Sequence, residues 1–330
     1  MKKKLRQDGH FSIPVKKHSA NSKTKNEKIS VETLRKIVYY ALTHNLSLNI
    51  LVGNEPLSDE LKAELEYCNY VILRSTDDKQ LGARSVSQTS YGFDIFDYEN
   101  GTWNNSHCEN LILRMEREHL PKLPQWLAEH SLAYSRISLI IKDLDKAMET
   151  DNGIYDDVLK KIADWLPERE EEKPLELSFL TDRLILAEPN HCDAGIKHVT
   201  VVPDGGLYLC PGFYYDGEKP FTDIETVLQT HELPIPNRQL LRLDYAPICE
   251  KCDAYQCKRC VYLNKKTTLD INTPSRQQCV FSHLERNISR TLIEPLFLTD
   301  DVSIPEIDYI DPFDKLQAKD KSKADKMGEC

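Results

Sequence analysis

LNILVGNEPLSDELKAELEYCNYVIL, Leu48 to Leu73, decides the fold. Leu48 to Val52 is an uncharged apolar run that reads as a buried strand. Gly53 to Ser58 reads as the turn leaving its carboxyl end, DELKAELE from Asp59 as a helix, and Tyr70 to Leu73 as the next strand. Strand, helix and strand in that order form a βαβ unit, and its two strands lie parallel because the helix carries the chain back to the edge it started from. Upstream, Ser30 is placed as an N-cap with Glu32 in the first turn. Val31, Leu34, Ile37, Val38, Ala41 and Leu42 then recur at helical spacing as far as His44. FSIPV, Phe11 to Val15, makes one strand in an otherwise polar, lysine-rich opening segment.

The alternation lapses between Ser75 and Asn105, which read as irregular, and then resumes. Leu111 to Met115 is a strand, Leu120 to His130 a helix and Ile137 to Ile141 a strand. Ile154, Val158, Ile162 and Leu166 mark one face of a further helix, and Leu175 to Leu180 a further strand. The charge run from Pro167 to Pro174 reads as a solvated connection. Five or six strands alternating with helices imply an α/β fold with a parallel sheet, open or partly closed as a barrel. After Asn190 the pattern gives way to cysteines, a hairpin whose strands VTVV and LYL flank Pro203-Asp204-Gly205-Gly206, and a late amphipathic helix around His283 to Leu296. By sequence character the chain divides into a polar, basic segment (1–30), an α/β region (31–189), a cysteine-rich domain (190–295) and a charged tail (296–330) expected to be disordered.

With 330 residues, 40% of them hydrophobic, the chain can bury a full core. A formal net charge of -10 speaks against a nucleic-acid partner bound by phosphate neutralisation. No run of about 18 apolar residues offers a membrane span, and the first thirty residues lack the apolar core of a signal peptide, so a cytoplasmic protein is expected. In that reducing compartment ten cysteines are metal ligands before they are disulfides. Only Cys68 and Cys108 lie in the first half. The second half carries Cys192, Cys210, the run Cys249-x2-Cys252-x4-Cys257-x2-Cys260, and Cys279, with Cys330 ending the tail. Seven thiols exceed the four that a zinc ion or a four-iron cluster takes, which implies two sites, one of them short of a cysteine. The link between Cys252 and Cys257 is tight for two zinc knuckles closing on one ion and comfortable for a cluster loop.

This spacing resembles the SPASM domain of radical SAM enzymes that mature peptides, whose pattern is C, a gap, G-x4-C, then C-x2-C-x5-C-x3-C, then C. Gly205-x4-Cys210 and the closing Cys279 match it, and the central run is shorter by one residue in each of two gaps. The resemblance implies two [4Fe-4S] clusters ligated in crossed order. Cys192, Cys210 and Cys260 would hold the first, and Cys249, Cys252, Cys257 and Cys279 the second. His198 is the candidate for the vacant position of the first cluster, and an open iron able to take a substrate thiolate is the alternative. The resemblance extends upstream, where Gly53-Asn54-Glu55-Pro56 after a strand is similar to the GGEP turn that holds the amino group of S-adenosylmethionine, making Gly53 and Glu55 candidate cofactor contacts.

The family's CxxxCxxC motif is missing. The corresponding loop, KKHSANSKTKNEK, contains no cysteine, and Asn54 adds a side chain where the backbone turns tightly, so this chain is expected neither to cleave S-adenosylmethionine alone nor to bind it. A degenerate partial (βα) barrel of radical SAM type followed by a small cysteine-rich SPASM-like domain is similar to the CXXX repeat peptide maturases. That likeness implies a cluster-bearing component that binds a cysteine-containing precursor peptide or relays electrons beside a complete radical SAM partner. The alternative is a zinc-stapled peptide-binding scaffold without redox chemistry, in which Cys249, Cys252, Cys257 and Cys260 close on one ion.

Overall fold

The computed structural model describes residues 10–14, 28–52, 57–75, 93–99 and 108–296. Its elements follow in chain order: β1 His10–Pro14, α1 Val31–Thr43, β2 Ser47–Val52, α2 Asp59–Leu65, β3 Tyr70–Ser75, β4 Phe93–Asp97, β5 Asn110–Met115, α3 Leu123–His130 and β6 Arg136–Ile141. Next come α4 Glu149–Glu172, β7 Glu176–Leu177, α5 Asp182–Ile185, β8 His198–Val201, β9 Gly206–Tyr208, α6 Pro211–Tyr215, β10 Thr222–Asp223, α7 Ile224–Thr230, α8 Val261–Thr268, α9 Arg276–Thr291 and α10 Ile293–Leu296. Two compact units result, and they are interleaved in sequence. The first comprises Met1–Glu116, His130–Lys142 and Asp193–Leu241, and the second Arg117–Glu129, Asp143–Cys192 and Arg242–Cys330.

In the first unit the βαβ reading of Leu48 to Leu73 is realised as β2, α2 and β3, with β2 and β3 parallel and Leu48 opposite Tyr70. Ser58 starts α2 by accepting the Leu61 N–H at 3.3 Å, and Ser30 starts α1 by accepting that of Thr33 at 3.0 Å. Strands β1 to β6 lie in sequential order and are all parallel. With right-handed crossovers that order sets the connecting helices on one face of the sheet, and α1 does pack against both α2 and α7. On the far side of β1 the parallel strand β8 joins, followed by antiparallel β9 and β10. The β8–β9 turn uses Gly205 at φ 89°, where a Cβ would be strained and would meet Ile224, while Asp204 accepts the Gly206 N–H at 2.9 Å.

Several expectations are corrected. The stretch read as irregular contains β4, which pairs with both β3 and β5. Leu42 is 51% exposed and off the buried stripe of α1, which is made by Leu34, Ile37, Val38 and Ala41 with Tyr40. The run from Pro167 is no open connection: α4 continues through Pro167 to Glu172. Arg169, in that run, is buried and donates to the Lys173 carbonyl, satisfying the helix end. Of Leu175 to Leu180 only Glu176–Leu177 is extended, because the Thr181 hydroxyl accepts the Leu177 N–H at 2.9 Å and closes a turn. The tail beyond residue 296 lies outside the described residues.

The second unit is built on α4 packed along α9. Tyr155 of α4 stacks on Phe281 of α9 with centroids 4.6 Å apart, and its hydroxyl donates to Glu285 Oε1 at 2.7 Å. Ile154 is exposed, so the inward face of α4 runs through Tyr155, Val158, Leu159, Ile162 and Leu166. Burial pushes the Glu285 carboxyl up to about 7 from 4.5, against the opposing pull of Tyr155 and Gln256. A carboxyl so raised is neutral in the fold at low pH. Folding loses stability as pH climbs from the unfolded value toward 7, by an amount on the order of 3 kcal/mol once both are passed. Glu285→Gln, which stays neutral, is expected to gain on the natural protein between pH 5 and pH 8 in urea unfolding. An equal difference at both pH values would show that another group titrates.

Candidate metal centre

The run Cys249 to Cys260 folds as successive tight turns. The Cys249 N–H reaches the Ala246 carbonyl at 2.9 Å, Cys252 that of Cys249 at 3.1 Å and Cys257 that of Ala254 at 3.0 Å. Each turn points a thiol inward where an extended chain would alternate them. Cys260 closes the run as the N-cap of α8, its Sγ accepting the Leu263 N–H at 3.4 Å. Cys279 comes from the first turns of α9, which Ser275 caps by accepting the Gln278 N–H at 3.2 Å.

These elements bring Cys249, Cys252, Cys257 and Cys279 to the wall of one cavity. Cys260 is not on that wall. It interacts electrostatically with both the Cys192 and the Cys257 thiols, and the Cys192 N–H donates to the Lys258 carbonyl at 3.0 Å. Cys210, the N-cap of α6, and His198, the first residue of β8, belong to the first unit, whereas Cys192 and Cys260 belong to the second. Gly53 and Glu55 fall outside the described residues, as does nearly all of the cysteine-free loop. Cys68 donates its thiol to the Leu65 carbonyl at 3.5 Å and is simply packed.

Burial pushes Cys249 and Cys252 up to about 11, and also raises Cys257. Such thiols stay protonated at neutral pH unless a cationic centre displaces their protons, which is what thiolate ligation does. Among the described residues no three His, Cys, Asp or Glu side chains converge as they would on a single ion. Four cysteine thiols on one cavity wall are a donor set that structural zinc and iron–sulfur clusters both draw on.

Sequence reasoning missed what holds this loop. Asp253, between the two CxxC pairs, is fully buried. It accepts from Arg286 Nη1 and Arg290 Nη2, each at 2.7 Å, while its carbonyl accepts Arg183 Nε at 2.7 Å. Arg183 also lies over the Tyr255 ring at 4.8 Å. Arg286 and Arg290 are four apart on α9 and so share a helix face, but only the fold shows that Arg286 is buried there while Arg290 reaches in from the rim. His283, one turn beyond Cys279, places Nε2 3.4 Å from Cys252 Sγ.

In the first unit the carboxyl ends of β4, β5 and β6, where ligands of parallel sheets gather, carry charged groups paired with one another. Lys142 Nζ lies 3.2 Å from Asp97 Oδ1 and also meets Glu99, and Arg114 Nη1 is 3.1 Å from Asp97 Oδ2.

No family model and no curated protein matches the sequence. Among solved structures the chain is similar to Streptococcus suis SuiB bound to S-adenosylmethionine, at 12% identity and a TM-score of 0.49, over 82% of this chain and 75% of that one. It is also similar to SuiB bound to its precursor peptide SuiA, at 11% identity and a TM-score of 0.43, over 71% and 69%. Scores below 0.5 leave function to be argued from the residues.

Asp253→Ala, which strands a fully buried guanidinium, is expected to lower the unfolding free energy by about 3–5 kcal/mol. Arg286→Met added to it should recover part of the loss in urea unfolding. A single-variant loss within the roughly 1 kcal/mol of a surface pair would show that the carboxylate does not anchor the loop.

Proposed function

We propose that this chain is an iron–sulfur component of a ribosomal-peptide maturation system, of the kind represented by the CXXX repeat peptide maturases. It binds a cysteine-containing precursor peptide or relays electrons beside a complete radical SAM partner. The observation that supports this reading is that Cys249, Cys252, Cys257 and Cys279, which the seven-cysteine pattern groups together, ring one cavity although Cys279 comes from a separate helix. These four would hold one [4Fe-4S] cluster. Cys192, Cys210 and Cys260 would hold a second, with His198 or a substrate thiolate at its remaining position. A bound cluster supplies one-electron exchange. The chain's own residues provide the thiolates, exclude water from them and fix the loop that carries them.

Cleavage of S-adenosylmethionine is assigned to the partner, because the loop after β1 has no cysteine with which to hold the cluster that performs it. Gly53 and Glu55 are then remnants of a cofactor turn, and the ion pairs among Asp97, Glu99, Arg114 and Lys142 serve structure.

Anaerobic purification tests the reading. The protein is expected to be brown, with iron, acid-labile sulfide and broad visible absorption. Cys279→Ser should lose the iron of one centre, and Cys68→Ser none. Stoichiometric zinc in a colourless protein would overturn the proposal in favour of a zinc-stapled scaffold. With S-adenosylmethionine and dithionite the pure chain should form no 5′-deoxyadenosine.

A further inference from the structure

Arg259 stands in the wall of the thiol-lined cavity, 4% exposed, with its backbone at φ 41°. A left-handed backbone costs a residue with a Cβ roughly 1–2 kcal/mol, and glycine would escape that cost. A buried guanidinium is a second liability unless something anionic meets it. A large cation kept at such a position points to what its side chain touches. It lines the cavity together with Cys249 and donates from its Nη2 to Asn272 Oδ1, while its backbone N–H faces Cys257 Sγ at 3.5 Å. Nearby, His283 Nε2 lies 3.4 Å from Cys252 Sγ, and the buried Asp253 carboxylate is met by Arg286, Arg290 and, at 4.0 Å, Arg183.

We infer that Arg259 is a positioning residue for the metal centre, a fixed cation in the wall of the thiol cavity whose backbone N–H faces the Cys257 sulfur and which favours the one-electron-reduced state of the group these thiols hold. The inference rests on the iron–sulfur reading above. Four thiolates outweigh the charge of an iron–sulfur core, so an electron taken from an external reductant makes the centre more anionic without making or breaking a bond. A guanidinium keeps its proton throughout, and from the same cavity wall it stabilises the more negative state. Arg259 thereby raises the reduction potential of this centre above the value its thiolates alone would set.

The test compares Arg259→Gly and Arg259→Lys in the full chain, purified anaerobically, by iron and sulfide content, thermal unfolding and a dithionite redox titration followed by visible absorption. Arg259→Gly should keep its iron and sulfide and unfold at the same or a higher temperature, yet titrate at a more negative potential. Arg259→Lys should stay near the natural protein. A glycine variant that assembles the centre with an unshifted potential would overturn the inference and reduce Arg259 to a turn residue. If glycine prevents assembly, Arg259→Gln is read on the same scale, a negative shift supporting the inference and no shift overturning it. A natural protein that contains only zinc fails at the metal analysis, before any variant is compared. That outcome removes the iron–sulfur reading and this inference with it, and is distinct from an unshifted potential in an iron-loaded protein.

Discussion

The Asp253 carboxylate is the fixed point of the cysteine-rich unit. It sits between two CxxC pairs, with no exposure to water, and is held by Arg286 and Arg290 of α9 and by Arg183 of α5 through its carbonyl. A buried ion pair adds little net stability compared with a well-packed apolar core, because desolvation offsets most of the attraction. What it supplies here is position. A loop of tight turns has little apolar surface with which to anchor itself, and only directional, charge-assisted bonds fix it to α9, the helix that also carries Cys279. Cys249, Cys252, Cys257 and Cys279 are therefore brought to one cavity wall by the fold itself.

The βαβ core was legible because its signals are local. Apolar runs of the right length, Ser30 and Ser58 as caps and an amphipathic α1 each point to one element without reference to the rest of the chain. The misses have the opposite character. β4 is FDIFD, whose two aspartates break an apolar reading, yet both are buried, and Asp97 is neutralised by Arg114 and Lys142 from the neighbouring strand β5 and the end of β6. The end of α4 looked like a solvated charge run because Arg169, read alone, is a surface residue. Only tertiary packing turns it inward onto the Lys173 carbonyl. In each case a charged side chain was priced as solvated when the fold had supplied its partner.

For the candidate site, the sequence carried the donors and the structure the surroundings. Cysteine spacing separates Cys260 from the other members of its run only through a family resemblance; in the fold Cys260 caps α8 and is not among the residues of the cavity wall. His283 and Arg259 have no sequence signature, since a histidine on a helix and an arginine in a loop are ordinarily solvent-facing. The nearest available signal was Arg259 lying inside CKRC, a place where glycine or asparagine would satisfy the left-handed turn at less cost.

The two units use charge differently. At the carboxyl ends of β4, β5 and β6, Arg114 and Lys142 face the carboxylates of Asp97 and Glu99. Around the thiols Arg183, Arg286 and Arg290 converge on the buried Asp253 carboxylate, and the Glu285 carboxyl also bears on Cys257. In the first unit the ion pairs join strand ends to one another, whereas in the second they fix an irregular loop to a helix that apolar packing alone would not position.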